Sequence, residues 1–204
     1  MDNLIYWVGM AAVAVTALTG VMDAGRKNMD LVGVVIVGIT TALGGGTLRD
    51  LLLDRQVFWL RDETYLVVAM ATTLLSFVLV RSLRLPSRLF LIPDAFGLAL
   101  FTILGTQIAL QWQAPWLAAS LLGVMTGVFG GVLRDVLCND VPLIFMRGEL
   151  YATASLAGAL ALIGLQALDV SPVLAAWGGM AIVLAVRLLA IAFHITVPTY
   201  TARQ

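Results

Sequence analysis

A seven-residue motif that combines glycines with an arginine–aspartate pair occurs twice in this chain. The first copy is Gly44-Gly45-Gly46-Thr47-Leu48-Arg49-Asp50 and the second is Phe129-Gly130-Gly131-Val132-Leu133-Arg134-Asp135. Each copy lies inside a long apolar stretch, where an ionised side chain costs about 3 kcal/mol to insert into a membrane. Such charges usually face water or the interior of a helix bundle. The two motifs therefore indicate a binding site or a pathway for ions or small polar molecules.

The composition indicates a membrane protein. Of the 204 residues, 61% are hydrophobic and only 12% are charged, against about 25% charged residues in a typical soluble domain. The net charge of zero argues against a nucleic-acid partner. A single cysteine, Cys138, excludes an internal disulfide and a multi-cysteine metal site. No paired carboxylates, HExxH motif or nucleophile–base set is visible, so we predict neither an enzyme nor a cofactor.

Seven segments approach the roughly 20 apolar residues that a helix needs to cross a bilayer core. They cover residues 4–22, 31–53, 65–80, 93–110, 116–137, 150–168 and 172–195. No basic residue precedes the first segment, which favours a retained helix over a cleaved signal peptide. The sequence thus predicts an all-α polytopic membrane protein with seven transmembrane helices in a single transmembrane domain, residues 1–204.

The basic residues predict the orientation of these helices. One set of loops and ends holds most of them: Arg26, Lys27, Arg81, Arg84, Arg88, Arg147 and Arg203. The opposite loops hold Arg55 and Arg61. By the positive-inside rule, we expect the N-terminus outside and the C-terminus in the cytoplasm.

A shift of 85 residues aligns the two motifs without a gap. It also places Gly20 on Gly105, Gly38 on Gly123 and Thr41 on Thr126. The two units, about 4–80 and 90–168, each hold three segments, so the second must cross the membrane in the opposite sense. This predicts a 3+3 inverted repeat, a design seen in transporters, with the seventh helix, about 172–195, outside it.

The glycines of the two motifs have two structural interpretations. Small residues spaced by four allow close helix packing, at Gly38, Ala42 and Gly46 and again at Gly123, Gly127 and Gly131. Adjacent glycines also predict a kink or short unwinding in the second and fifth helices. Unwinding would free the carbonyls of residues 41–43 and 126–128 to coordinate a dehydrated cation. We therefore expect a cation to bind transiently near Gly45 and Gly130, with no tightly bound metal. The alternative is tight helix crossing alone.

The Arg–Asp pairs predict buried ion pairs. Because consecutive helical residues point apart, we expect Arg49 and Asp50, and likewise Arg134 and Asp135, to find separate partners. Opposite helix directions place the two pairs on opposite sides of the midplane, which argues against an Arg49–Asp135 bond. Asp94, near the start of the fourth helix, is the predicted partner of Arg134. The alternative is that the charged side chains reach out to the membrane interface.

Three other residues carry weaker signals. The only histidine, His194, is expected at the membrane interface rather than in a proton relay. Arg187, deep in the seventh helix, is expected to reach the interface or to brace a subunit contact. Cys138 is expected to be a small apolar residue at a helix end.

The seven helices, the inverted repeat and the twin GG-x-L-R-D motifs resemble the trimeric intracellular cation (TRIC) channels, in their prokaryotic branch. The resemblance covers essentially the whole chain. It implies a homotrimer in the inner membrane of a bacterial or archaeal cell, in which each protomer has its own pore between the kinked second and fifth helices. That pore is expected to pass potassium and other monovalent cations, so the transient ion near Gly45 and Gly130 is expected to be potassium or sodium. The Lys-Glu-Val motif of animal members is missing, so lipid regulation is not predicted.

The candidate pathway residues follow from the motif and its neighbours. They are Gly44, Gly45, Gly46, Arg49, Asp50, Asp94, Thr126, Phe129, Gly130, Gly131, Arg134 and Asp135. Phe129 replaces the first glycine of the second triplet.

A cation channel embedded in membrane lipid is the leading functional hypothesis. Bacterial relatives have also been catalogued as glycine transporters, and inverted repeats suit alternating access equally well. A secondary carrier for a small zwitterion such as glycine is therefore the alternative. A membrane scaffold without transport is a third reading, against which the two buried charge pairs argue.

Overall fold

The computed structural model describes residues 2–81, 89–146, 150–193 and 195, with side chains from residue 5 onward. These residues form eight α-helices and one short 3₁₀ helix, and no strand. The helices are α1 (Asp2–Arg26), α2 (Leu31–Leu52), α3 (Phe58–Arg61), α4 (Thr64–Arg81), α5 (Leu91–Gln111), α6 (Trp116–Leu137), α7 (Tyr151–Ala167) and α8 (Pro172–Phe193). The 3₁₀ helix is Leu143–Phe145.

The all-helical membrane fold is as predicted. Within the described ranges, six helices are long and apolar enough to cross a bilayer, and α7 is apolar with 17 residues, the short end of the range for a span. The sequence did not predict α3, a four-residue helix in the loop between the second and third spans. The predictions for Arg84, Arg88, Arg147, His194 and Arg203 lie outside the described residues.

The offset of 85 residues recurs in the positions where helices begin and end. Helix α2 starts at Leu31 and α6 at Trp116, and both run for 22 residues. The residues that follow helix ends adopt positive φ in matching pairs, Asn28 with Gln113 and Asp54 with Asn139. A left-handed residue after a helix is a common way to end it, because it turns the chain away while satisfying the last carbonyls. The two segments therefore share local geometry as well as sequence.

Helices α2 and α6 cross in backbone contact at the doubled motif. A Cβ atom at Gly45 would overlap the carbonyl oxygen of Thr126, and one at Gly130 would overlap the carbonyl oxygen of Thr41. These contacts are reciprocal at the offset of 85. As residue numbers rise along α2 they fall along α6, so the helices run antiparallel. Only glycine permits so close an approach.

Of the predicted kink or short unwinding at the glycines, the unwinding is wrong. Both α2 and α6 are continuous α-helices through their motifs. The carbonyls of Thr41 and Thr126 pack against the facing glycines instead of lining open space. Tertiary contact thus compensates for the low helix propensity of glycine, since packing routinely overrides that preference.

Other glycines of α2 and α6 contact helices outside the crossing pair. A Cβ at Gly46 would lie 2.6 Å from the Phe58 ring, and one at Gly38 would lie 2.6 Å from the Thr73 hydroxyl of α4. Gly123 and Gly127 instead face α5, with the carbonyl oxygen of Thr102 2.8 Å from a Cβ at Gly123. The faces of small residues therefore hold α4 and α5 against the crossing pair.

Arg187 is buried within the described part of the protomer. Its side chain is inaccessible, and its guanidinium carbon lies 4.8 Å from the centre of the Tyr151 ring. The prediction that it reaches the interface is therefore wrong. Its guanidinium instead lies against the Tyr151 ring of α7.

The Gly45–Thr126 contact predicts a strong response to one added methyl group. Gly45→Ala is expected to destabilise the protein by about 1–3 kcal/mol through overpacking, and Gly130→Ala similarly. Thermal unfolding in detergent, followed by circular dichroism, measures this. Gly164→Ala in α7 is the matched control, because nothing lies within 4 Å of a Cβ there. Equal melting temperatures for Gly45→Ala and Gly164→Ala would contradict the crossing.

Cys138 directly follows the last residue of α6, as predicted for a small apolar residue at a helix end. Its burial leads to a second testable prediction. The residue is 2% exposed, and burial raises the pKa of its thiol to about 11. Because the thiolate is the reactive form, a maleimide at neutral pH is expected to label folded protein at least about tenfold more slowly than protein unfolded in SDS. Asp140→Cys in a Cys138→Ala background, on the more exposed neighbouring turn, serves as the reactive control. Labelling of native Cys138 at the control rate would refute its placement.

Candidate functional site

Each arginine of the doubled motif pairs with the aspartate that follows it. Arg49 Nε donates to Asp50 Oδ1 at 2.8 Å, and Arg134 Nε donates to Asp135 Oδ1 at 2.8 Å. The expectation that these sequence neighbours do not meet is therefore wrong, although Arg134 also finds a separate partner. The rule that consecutive residues diverge concerns Cβ directions, whereas the long arginine chain bends back to reach its neighbour. All four side chains are buried.

Both aspartates also hold the chain that follows their helix. Asp50 Oδ2 accepts the backbone N–H of Phe58, and Asp135 Oδ2 accepts that of Leu143, each at 2.8 Å. These N–H groups belong to the first residues of α3 and of the 3₁₀ helix, where a carboxylate satisfies unpaired donors. Each motif therefore ties a helix C-terminus to the start of the next element.

The two Arg–Asp pairs lie on opposite sides of the glycine crossing. Arg49 and Arg134 occupy the last turns of α2 and α6, where cations complement the helix dipole. Because the helices are antiparallel, each pair lies roughly 7 Å beyond the crossing, at about 1.5 Å per residue. We name the surroundings of Arg49 the first half-site and those of Arg134 the second half-site.

The second half-site surrounds its arginine with carboxylates. Arg134 Nη1 donates to Asp94 Oδ1 at 2.6 Å, as predicted, and Asp23 Oδ2 lies 3.4 Å from Arg134 Nε. Asp23 also pairs with Arg26 at 3.0 Å. Arg134 is fully buried, and a buried charge of this kind requires pairing and hydrogen bonds. Three carboxylates thus share one guanidinium.

Asp23 is the partner that sequence reasoning missed. The first apolar segment was expected to end at residue 22, which left Asp23 in a loop, whereas α1 continues to Arg26. The sequence held a signal that Asp23 belongs to the helix interior, since it falls four residues after Thr19 on the helix face that also holds Thr16. The structure buries all three side chains.

The first half-site is more open. Asp50 is the carboxylate nearest Arg49, and Arg55 Nε lies 3.6 Å from the same oxygen of Asp50. A cavity of about 530 Å³ adjoins Arg49. Its lining includes Tyr6, Gly9, Arg49, Arg55, Phe58, Arg61, Asp62, Tyr65, Ile108 and Trp112.

The remaining predicted residues divide between the crossing and a lateral groove. Thr126 lies at the crossing, where its hydroxyl donates to the Leu122 carbonyl at 2.6 Å. Phe129 and Gly44 line an apolar groove of about 350 Å³ beside α2 and α6, away from both arginines. Gly131 faces the Tyr151 hydroxyl. The structure thus brings the predicted residues together in four places rather than one: the two half-sites, the crossing and the lateral groove.

Among the described residues, no set of three or more histidine, cysteine or acidic side chains could hold a metal ion. At the second half-site the Arg134 guanidinium already occupies the space between the carboxylates. The carboxylates there are therefore already paired with a cationic side chain.

Fold and site together define an all-helical membrane protein of the TRIC-channel class. The TRIC orthologue from Rhodobacter sphaeroides superposes with a TM-score of 0.90 at 34% identity, covering 95% of this chain and 100% of that one. A second TRIC cation channel structure superposes with a TM-score of 0.86 at 32% identity, covering 97% of each chain. The chain belongs to the family described as "Glycine transporter", whose model matches residues 6–81 and 91–167.

Relatives known from sequence carry less specific names. The inner membrane protein YadS of Escherichia coli K12, grouped as UPF0126, is 44% identical over 200 residues, which cover 97% of this chain and 96% of YadS. The similarity therefore extends over the whole described bundle.

The carboxylate cluster predicts unequal effects of removing the two arginines. Arg134→Met leaves Asp94 and Asp135 without their cation and Asp23 with Arg26 alone. It is expected to destabilise the protein by about 3–5 kcal/mol, more than Arg49→Met does. Thermal unfolding of detergent-purified protein measures the difference.

A double mutant separates lost charge pairing from lost packing. Adding Asp94→Asn to Arg134→Met is expected to recover part of the stability, because one uncompensated acid is removed. A strictly additive loss would show that the two side chains are not coupled and would contradict the pairing.

Proposed function

We propose that this protein is a passive channel for monovalent cations, with potassium as the main physiological ion. The observation that carries the proposal is the arrangement of two buried Arg–Asp pairs on either side of a glycine crossing. That arrangement occurs in a chain superposing on TRIC cation channels at TM-scores of 0.90 and 0.86. The cell membrane is its proposed location, in keeping with the name of its inner-membrane relative.

Each protomer is proposed to carry its own pathway along α2 and α6, which are the predicted second and fifth helices. The backbone contact of Gly45 and Gly130 with the facing carbonyls closes the crossing in the conformation described. Conduction then requires α2 and α6 to separate there, so that the Thr41 and Thr126 carbonyls become available to a cation. The gate is proposed to lie at the crossing, with the two half-sites as its vestibules.

The proposed assembly is a homotrimer, as in the structural neighbour from Rhodobacter sphaeroides, which is a trimeric intracellular cation channel. The protomer is proposed to be a 3+3 inverted repeat with α8 outside it. The reciprocal Gly45–Thr126 and Gly130–Thr41 contacts support a two-fold relation between α2 and α6. Native mass spectrometry in detergent tests the oligomeric state.

Planar-bilayer recording tests the channel proposal. Purified protein is expected to give unitary potassium currents, and Asp94→Asn is expected to change their amplitude or open probability by at least about twofold. The reason is that Asp94 fixes the Arg134 guanidinium at 2.6 Å.

Asp169→Asn is the matched control for this experiment. It removes one carboxylate in the α7–α8 turn, and its positive φ of 57° suits asparagine. This variant should conduct like the wild type. Absence of current at any voltage or pH would refute the channel proposal.

The family description favours a second candidate, a secondary carrier for a small zwitterion such as glycine. A closed crossing between two half-sites also suits alternating access. Proteoliposomes loaded with glycine should then show saturable counterflow of labelled glycine without unitary currents. Currents without counterflow would exclude the carrier.

A further inference from the structure

The two half-sites differ at the positions that supply the additional carboxylates of the second half-site. Subtracting the offset of 85 residues places Asp94 on Gly9, and adding it places Asp23 on Ile108. Gly9 and Ile108 both line the 530 Å³ cavity beside Arg49. The first half-site therefore has a cavity where the second half-site has two carboxylates.

Arg49 has an unsatisfied donor as a result. Asp50 Oδ1 lies 2.8 Å from both Nε and Nη2 of Arg49, whereas Nη1 is buried with no hydrogen-bond partner in the described part of the chain. In the second half-site the corresponding atom, Arg134 Nη1, donates to Asp94. A buried donor on a charged group that lacks a partner is costly, so this position calls for an acceptor.

We propose that the first half-site binds a small carboxylate anion, which pairs with Arg49 Nη1 as the Asp94 carboxylate pairs with Arg134 Nη1. The second half-site is the internal template for this geometry. The cavity volume lies within the usual range for small-molecule sites. The proposal depends on neither the channel nor the carrier hypothesis.

The charges around the cavity favour an anion. Arg49, Arg55 and Arg61 line it, and they face the buried carboxylate of Asp50 and the single lining carboxylate of Asp62. Hydrogen bonds from the Thr64 side chain and backbone lower the pKa of Asp62, so it is ionised at neutral pH. These groups sum to one net positive charge, which a monocarboxylate neutralises.

Aromatic rings cover the site. Phe58 and Tyr65 pack edge to face with ring centres 4.9 Å apart, and Arg49 lies 5.7 Å from the Phe58 ring centre. Because Arg49 is only 2% exposed, the ligand reaches Nη1 when these rings shift aside. Tyr65 also fills the space beside Gly9, where its hydroxyl would lie 3.0 Å from a Cβ.

Thermal unfolding in sodium acetate tests the proposal, with sodium chloride at equal ionic strength as the reference. A ligand that binds the folded protein stabilises it in proportion to the logarithm of its concentration above Kd. Wild-type protein is expected to show a rise in Tm with acetate that chloride does not reproduce. Arg81→Gln, which removes an exposed cation at the end of α4, should keep the full rise.

Gly9→Asp is the decisive variant, because it supplies a tethered carboxylate at the position that corresponds to Asp94. It is expected to reduce the acetate-dependent rise at least about threefold, and Arg49→Met should remove it. Gly9→Asp keeps the test valid if Arg49→Met fails to fold. An undiminished rise in Gly9→Asp, an equal rise in chloride, or no rise in the wild type would each overturn the proposal.

Discussion

The arrangement of this bundle depends on the contact between the backbones of α2 and α6. Because Gly45 and Gly130 have no Cβ atom, the carbonyl groups of the opposite helix can approach their backbone closely. Once these helices touch, their antiparallel directions fix the Arg–Asp pairs on opposite sides of the contact. Helices α4 and α5 then pack onto the remaining small residues. The glycines thus determine the distance between α2 and α6, and that distance determines where buried charged side chains can lie.

The buried charges impose the second constraint. In a bundle surrounded by lipid, an unpaired arginine or aspartate cannot turn to water, so each finds its partner within the protein. Asp50 and Asp135 satisfy an arginine and a backbone N–H at once. Because each aspartate binds both groups, the loop after each helix becomes part of the site, and the loop after α2 adds Arg55 at 3.6 Å from Asp50 Oδ1.

The sequence was sufficient to predict the helical membrane fold, the family and the Arg134–Asp94 pair, because these depend on hydrophobic lengths and on a repeated motif. It was not sufficient to predict the behaviour of the glycines. Glycine favours both unwinding and close packing, and only the position of Thr126 across the crossing shows which effect prevails. The Arg49–Asp50 bond was mispredicted for a related reason, since a rule about Cβ directions does not limit a long side chain. The contribution of Asp23 depended on four further residues of α1 that a hydropathy boundary left out.

The reciprocal contact between α2 and α6 has the form of the interface in a symmetric dimer, in which the same surface meets itself. Two identical halves would make the molecule electrically the same from either membrane face. The replacement of the Asp94 and Asp23 positions by Gly9 and Ile108 removes that equivalence. The charged groups therefore sum to a net positive charge around the first half-site and to a net negative charge around the second. Two sites with matching backbone contacts thereby differ in the charge that they present to an approaching ion.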